Sequence, residues 1–144
     1  MKQDRFRKQY NQVQIQTANK GKLIVMLYQG ALKFMKKALQ DMDKKDMEQK
    51  GNALIKAQDI ILELLYALDQ EKLNSGNELA LNLQRLYLYA YRRLVHANLR
   101  QDEEAIKEII SIMTNLVEAW ETVVASDGSM VTTPSSQSGL TITG

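Results

Sequence analysis

Apolar positions recur at helical spacing through most of the chain, and most densely in Leu79–Leu99, LALNLQRLYLYAYRRLVHANL. Wound at about 100° per residue, Leu79, Leu83, Leu86, Ala90, Leu94 and Ala97 fall in one narrow stripe. Leu81, Leu88, Tyr91, Val95 and Leu99 fall in a second stripe, nearly opposite, and Asn82, Arg85, Arg92, Arg93 and His96 keep to one flank between the two. A bundle helix usually needs one apolar face of about 100°. This segment has apolar surface for two partners. Either it sits centrally and packs on neighbours on both sides, or one stripe is a docking groove for another protein.

The same periodicity predicts three more helices. The first runs over Lys20–Asp43, with Leu23, Leu27, Gly30, Phe34 and Ala38 as its inner stripe and Ile24, Tyr28, Met35, Leu39 and Met42 beside it. Thr17 or Asn19 is its expected cap, and Gly30, which costs roughly 1 kcal/mol inside a helix, implies a close helix approach. The second starts at Asp46, with Gln49 in the capping-box position, and runs to about Leu68. Its core stripe is Met47, Leu54, Ala57, Ile61, Leu64, Leu65 and Leu68, and Ile55, Leu62 and Tyr66 form a side stripe. A long loop, Asp69–Gly76, precedes the third helix, which Ser75 or Asn77 caps. Asp102 caps the last helix, whose first-turn Glu103 and Glu104 suit the helix dipole. Ile106, Ile109, Met113, Leu116, Trp120 and Val123 face inward, and this helix is expected to end near Ala125.

The chain ends differ in character. Residues 1–16 are rich in Gln, Lys and Arg with isolated Phe6, Tyr10, Val13 and Ile15, which reads as an N-terminal arm holding to a bundle by a few anchors. Residues 126–144 are rich in Ser, Thr and Gly and contain the single proline, a flexible tail by composition. The expectation is an all-α, antiparallel up-and-down four-helix bundle over residues 17–125, between arm and tail.

Charge and composition narrow the function. Net charge is +2, but residues 1–56 carry thirteen Lys/Arg against five Asp/Glu, and residues 57–144 carry six against twelve. Such a polarity steers an acidic partner to one end or is the solvated face of Lys-rich helices. There is no cysteine, hence no disulfide and no thiolate metal site. No apolar run reaches the roughly 18 residues of a membrane span, and the N-terminus lacks a signal-peptide core; a cytoplasmic protein is expected.

Catalysis finds no foothold. His96 is the one histidine, without a carboxylate or Cys at ligand spacing, and no HExxH, CxxC, Glu-x-x-His pair or glycine-rich phosphate loop occurs. Neither an enzyme nor a cofactor or metal is expected. Nucleic acid is not expected either: Lys33, Lys36, Lys37, Lys44 and Lys45 cluster, but Tyr87, Tyr89 and Tyr91 point three ways around another helix and cannot form a stacking platform. What remains is protein binding through the surplus apolar stripes, read as anchors at i, i+3, i+4 and i+7.

Three blocks give this reading a family. Tyr10 precedes Thr17-Ala18 and then Leu23-Ile-Val-Met-Leu-Tyr-Gln-Gly-Ala31; Lys56-Ala-Gln-Asp-Ile-Ile61 leads to Leu68-Asp69; Asn82-Leu-Gln-Arg-Leu-Tyr87 is followed by Tyr91-Arg-Arg-Leu-Val95, Ala97-Asn98 and Trp120. In order and spacing, from Arg5 to Val124, they resemble the FliS family, flagellin-specific chaperones of flagellar type III export. Three departures from the family pattern occur. Asn19-Lys20 replaces a Ser/Thr-Pro, Gln29 a common Asp or Asn, and Leu88 a common Asp, the last enlarging the second apolar stripe. The resemblance implies a non-enzymatic cytoplasmic protein that binds the disordered C-terminal region of flagellin, masks its polymerising surface, and brings it to the export gate protein FlhA. It also implies an arm that moves on client binding, with Tyr10 recognised by the gate, and extends the partners to an anti-sigma factor. The expected contact residues are Tyr10, Val13 and Ile15 on the arm, Ile55, Leu62 and Tyr66 on the second helix, and Leu81, Leu88, Tyr91, Val95 and Leu99 on the third. The competing reading is a regulatory or structural helical adaptor binding an amphipathic helix of another protein.

Overall fold

Local signals place the helix ends. The computed structural model describes the backbone of residues 20–132 and the side chains of residues 20–126. These residues form four long helices, α1 (Lys20–Asp43), α2 (Met47–Tyr66), α4 (Glu78–Arg100) and α5 (Glu103–Thr132), and a short α3 (Gln70–Asn74). No strand occurs among the described residues. The arm residues Tyr10, Val13 and Ile15, the candidate caps Thr17 and Asn19, and the tail beyond Thr132 lie outside them.

Three of the caps are ones the sequence predicts. Asp46 accepts the Gln49 N–H at the start of α2, Asn77 accepts the Ala80 N–H at the start of α4, and Asp102 Oδ1 accepts the Ala105 N–H at the start of α5. After α1, Lys45 turns left-handed (φ 61°) while its N–H bonds Met42 O and the Asp46 N–H bonds Asp41 O. This closes the helix in a Schellman turn. Gly76 (φ 81°) does the same after α3, where its N–H bonds Leu73 O and the Asn77 N–H bonds Lys72 O. A side chain is disfavoured at that φ, so glycine is the apt residue. Gln101 (φ 54°) ends α4.

Two expectations are corrected here. The segment Asp69–Gly76 is not a plain loop, because Asp69 caps α3 by accepting the Glu71 and Lys72 N–H groups. The last helix does not stop near Ala125 but continues to Thr132. Ser, Asp and Gly are weak helix formers rather than breakers, a formed helix extends by one hydrogen bond per residue, and the proline comes only at 134.

The chain divides into two units, the larger spanning Leu27–Asn115. Within it, an ideal Cβ on Gly30 would lie 3.2 Å from Ile60, and Lys56 Nζ lies 5.3 Å from the Phe34 ring centre. As one residue number rises the other falls, so α1 and α2 run antiparallel. Tyr89 and Arg93 on α4 both bond Glu108 on α5, and His96 meets Asp102, which sets that pair antiparallel too. Tyr28, Met35, Leu54, Ile61, Leu64, Tyr87, Leu94, Ile106, Ile109 and Met113 are fully buried. In the other unit, the start of α1 meets the end of α5, where Gly21 brings Val124 to 3.0 Å from an ideal Cβ.

Which stripe turns inward differs from the pattern reading in places. On α1 the buried face is Ile24, Tyr28, Ala31, Leu32, Met35 and Ala38, whereas Leu23, Leu27, Gly30 and Phe34 are half-buried. Both stripes are apolar, and small Ala31 and Ala38 suit the close-packed side. Phe34 stays at the edge, where Lys33 and Lys56 both lie over its ring. On α4, Ala80 and Tyr87 are buried in place of Leu79 and Leu86. Met47 and Val123, expected inside, are exposed.

Candidate functional site

The two outward apolar stripes belong to neighbouring helices. Lys50, only 2% exposed, reaches from the start of α2 to the end of α4, where its ammonium donates to Asn98 Oδ1 (2.7 Å) and Asn98 O (3.0 Å). Asn98 O is one of the carbonyls a helix end leaves without an internal partner, so the ammonium serves as a C-terminal cap on the negative end of the α4 dipole. Burial pushes the Lys50 ammonium below its usual pKa. An ideal Cβ on Gly51 would lie 3.7 Å from Asn98 Oδ1. That contact sets an antiparallel register in which Ile55 is level with Leu94 and its neighbour Val95, and Leu62 with Tyr87 and its neighbour Leu88.

Ile55, Leu62 and Tyr66 fall on one side of α2, and Leu81, Leu88, Tyr91, Val95 and Leu99 on one side of α4. Their positions around each helix place both sets along the outer edge of the α2–α4 seam, next to Gly51 and Asn98 and away from the core-facing Leu54, Ile61 and Leu94. None of the eight is buried. Tyr66 is 77%, Leu99 75% and Ile55 49% exposed, and Leu62, Leu81, Leu88, Tyr91 and Val95 are half-buried. Met47, at the same end as Leu99, adds apolar surface that the pattern had assigned to the core. A line of large apolar side chains left at the surface is characteristic of an interaction site.

The opposite flank of α4 is polar and internally satisfied. The Tyr89 hydroxyl donates to Glu108 Oε2 (2.5 Å), and Arg93 Nε donates to Glu108 Oε1 (3.0 Å). The Tyr89 hydroxyl, with Arg93 beside it, holds the Glu108 carboxyl below its ordinary range. His96 Nε2 lies 3.1 Å from Asp102 Oδ2, whose other oxygen takes the Ala105 N–H; that backbone bond is the main cause of the lowered Asp102 pKa. These groups tie α4 to α5. Among the described residues there is no cluster of three His, Cys, Asp or Glu fit to hold a metal ion, and no helix long and apolar enough to cross a membrane.

Pattern reading missed Lys50 and Asn98, because neither residue type marks a buried contact. It also left the buried pair Tyr28 and Tyr87 unconnected: their hydroxyls lie 2.5 Å apart, joining α1 to α4 through the core.

Comparison with known proteins gives the chain a family. Residues 2–127 match the family described as flagellar protein FliS. The chain is 42% identical over 121 residues to the flagellar secretion chaperone FliS of Salmonella typhimurium, covering 81% of this chain and 87% of that one. It is 40% identical over 118 residues to the flagellar secretion chaperone FliS of Bacillus subtilis, covering 82% and 85%. It is 38% identical over 118 residues to the flagellar secretion chaperone FliSB of Pseudomonas aeruginosa, covering 79% and 91%. With a family match across nearly its whole length and several relatives at this level of identity, the chain belongs to the FliS family of flagellar secretion chaperones.

Proposed function

We propose that this chaperone binds the C-terminal region of flagellin in the cytoplasm, keeps it from polymerising, and hands it to the export gate protein FlhA. The observation that carries the reading is the row of eight apolar side chains left unburied along the outer α2–α4 seam. A client disordered before binding loses conformational entropy when it orders, so each unit of buried area yields less affinity. A long apolar row offsets that cost while the client follows a largely extended path with helical pieces, ready for threading. Tyr10, Val13 and Ile15 of the N-terminal segment are further contact residues in this reading, Tyr10 being the one read by the gate. An anti-sigma factor is a further partner in this reading. The activity is binding and release, with no covalent step and no cofactor.

Calorimetric titration of the full chain with a peptide spanning the flagellin C-terminal region tests the proposal. One-to-one saturable binding with a large negative heat-capacity change is expected, the mark of apolar burial coupled to folding. Absence of binding at tens of micromolar, by a folded chain, transfers the surface to the adaptor reading.

A further inference from the structure

The α2–α4 seam is not electrically uniform across its width. On α4, Arg85 and Arg92 are exposed and bracket Leu88 at three residues before and four after, on the side of the apolar stripe away from α2. On α2, exposed Asp59 follows Ile55 by four residues and precedes Leu62 by three, and exposed Glu48 precedes Ile55 by seven. Lys56, which would otherwise neutralise this edge, turns to α1, with its Nζ over the Phe34 ring. Neither Arg92 nor Asp59 has an ion-pair partner among the described residues. Arg85 donates one N–H to Asn82 Oδ1, which leaves its charge uncompensated. An apolar floor thus runs between a positive rim on α4 and a negative rim on α2.

We propose that the seam takes an amphipathic helix of a partner polypeptide that carries carboxylates along one flank of its apolar stripe and basic groups along the other, and that the two rims set the direction in which it lies. The inference rests on the docking reading above and adds the chemistry of the occupant. A helix seated face-down on a groove has two directions, and turning it end for end exchanges its flanks. Unlike rims distinguish the two, whereas like rims would not. Arg85 and Arg92 are seven residues apart, about 10.5 Å along the axis at ~1.5 Å per residue, which matches two carboxylates two turns apart on the partner. The chain's own first sixteen residues are a poor match for the positive rim by charge, since they carry Lys2, Arg5, Arg7 and Lys8 against a single Asp4.

Fluorescence-anisotropy titration of the full chain with three labelled helical peptides of one length and one apolar stripe tests this. One peptide has Glu on one flank and Lys on the other, one has Glu on both, and one has Lys on both. The mixed peptide is expected to bind on the order of tenfold tighter at low salt, the cumulative effect of a few rim ion pairs. The Arg85→Glu/Arg92→Glu variant makes both rims acidic and should bind the all-Lys peptide tightest; Asp59→Lys should shift preference toward the all-Glu peptide. Equal binding of the three peptides, or an unchanged preference in the Arg85→Glu/Arg92→Glu variant with its helix content intact, overturns the inference. A flagellin C-terminal peptide run in parallel separates the two readings. If it binds while the mixed peptide has no advantage, only the charge inference falls; if neither it nor any designed peptide binds, both fall. Sedimentation of the free chain as a dimer that Arg85→Glu/Arg92→Glu dissociates would make the occupant a second copy and overturn the inference as well.

Discussion

Lys50 and Asn98 are forty-eight residues apart in sequence and joined twice in space, by an ammonium that bonds both the side-chain and the backbone oxygen of the asparagine. The contact ties the first turn of α2 to the last turn of α4. Lys50→Met keeps the length of the side chain but leaves both oxygens without this donor, and should cost about 1–3 kcal/mol of stability. Asn98→Ala leaves a buried ammonium with one partner fewer and should cost a similar amount. In urea titrations the double variant should lose less than the sum of the two, because the residues act as a pair.

The Tyr28–Tyr87 pair makes a second link through the core, with ring centres 6.3 Å apart and planes tilted by 58°. Tyr87→Phe removes one hydroxyl and should cost about 1 kcal/mol. Burial, with Tyr28 beside it, pushes the Tyr87 hydroxyl far above its usual value of 10.0. Above pH 10 the unfolded chain therefore loses a proton that the folded chain keeps. The stability contributed is complete below pH 10 and declines as pH rises beyond it. Urea midpoints at pH 8 and pH 11 should differ more for the native chain than for Tyr87→Phe.

At the acid end the relevant group is Glu108. Its carboxyl is held below the ordinary 4.5, first by the Tyr89 hydroxyl and then by Arg93. A carboxyl with a lowered folded pKa contributes stability that is present above pH 4.5 and lost as pH falls through the lower folded value. Glu108→Gln should remove that part of the acid sensitivity, which denaturant midpoints at pH 6 and pH 3 would register.

Much of this was legible in the sequence. Asp46, Asn77 and Asp102 announced three helix starts because a short polar side chain before an apolar run satisfies otherwise unbonded N–H groups. The burial of α1 was harder to read. Leu23, Leu27 and Phe34 are as apolar as Ile24, Tyr28 and Met35, so the pattern fixes a helix but not its rotation. The eight seam residues emerged from a surplus of apolar surface over what one packed face requires. The rims did not emerge, since Arg85, Arg92 and Asp59 acquire meaning only once α2 and α4 are neighbours.

Leu88 and Leu94 separate surface from core on one helix. Leu94 is fully buried, and Leu94→Asp should unfold the chain by stranding a carboxylate in the core. Leu88 is half-buried on the outer seam, and Leu88→Asp should leave circular dichroism and thermal unfolding near native while reducing flagellin-peptide binding at least tenfold, a loss of about 1.4 kcal/mol. Unfolding by Leu88→Asp would assign its stripe to packing.

The apolar row lies parallel to the axes of α2 and α4, and this has a mechanical consequence. A chain seated lengthwise on such a row and drawn away from one end loses its anchors in succession, with only one or two loaded at any moment. Drawn sideways in register, it would have to lose all of them at once. Firm holding at rest and detachment under small force from one end are then properties of the same surface, and it is the direction of pull that selects between them.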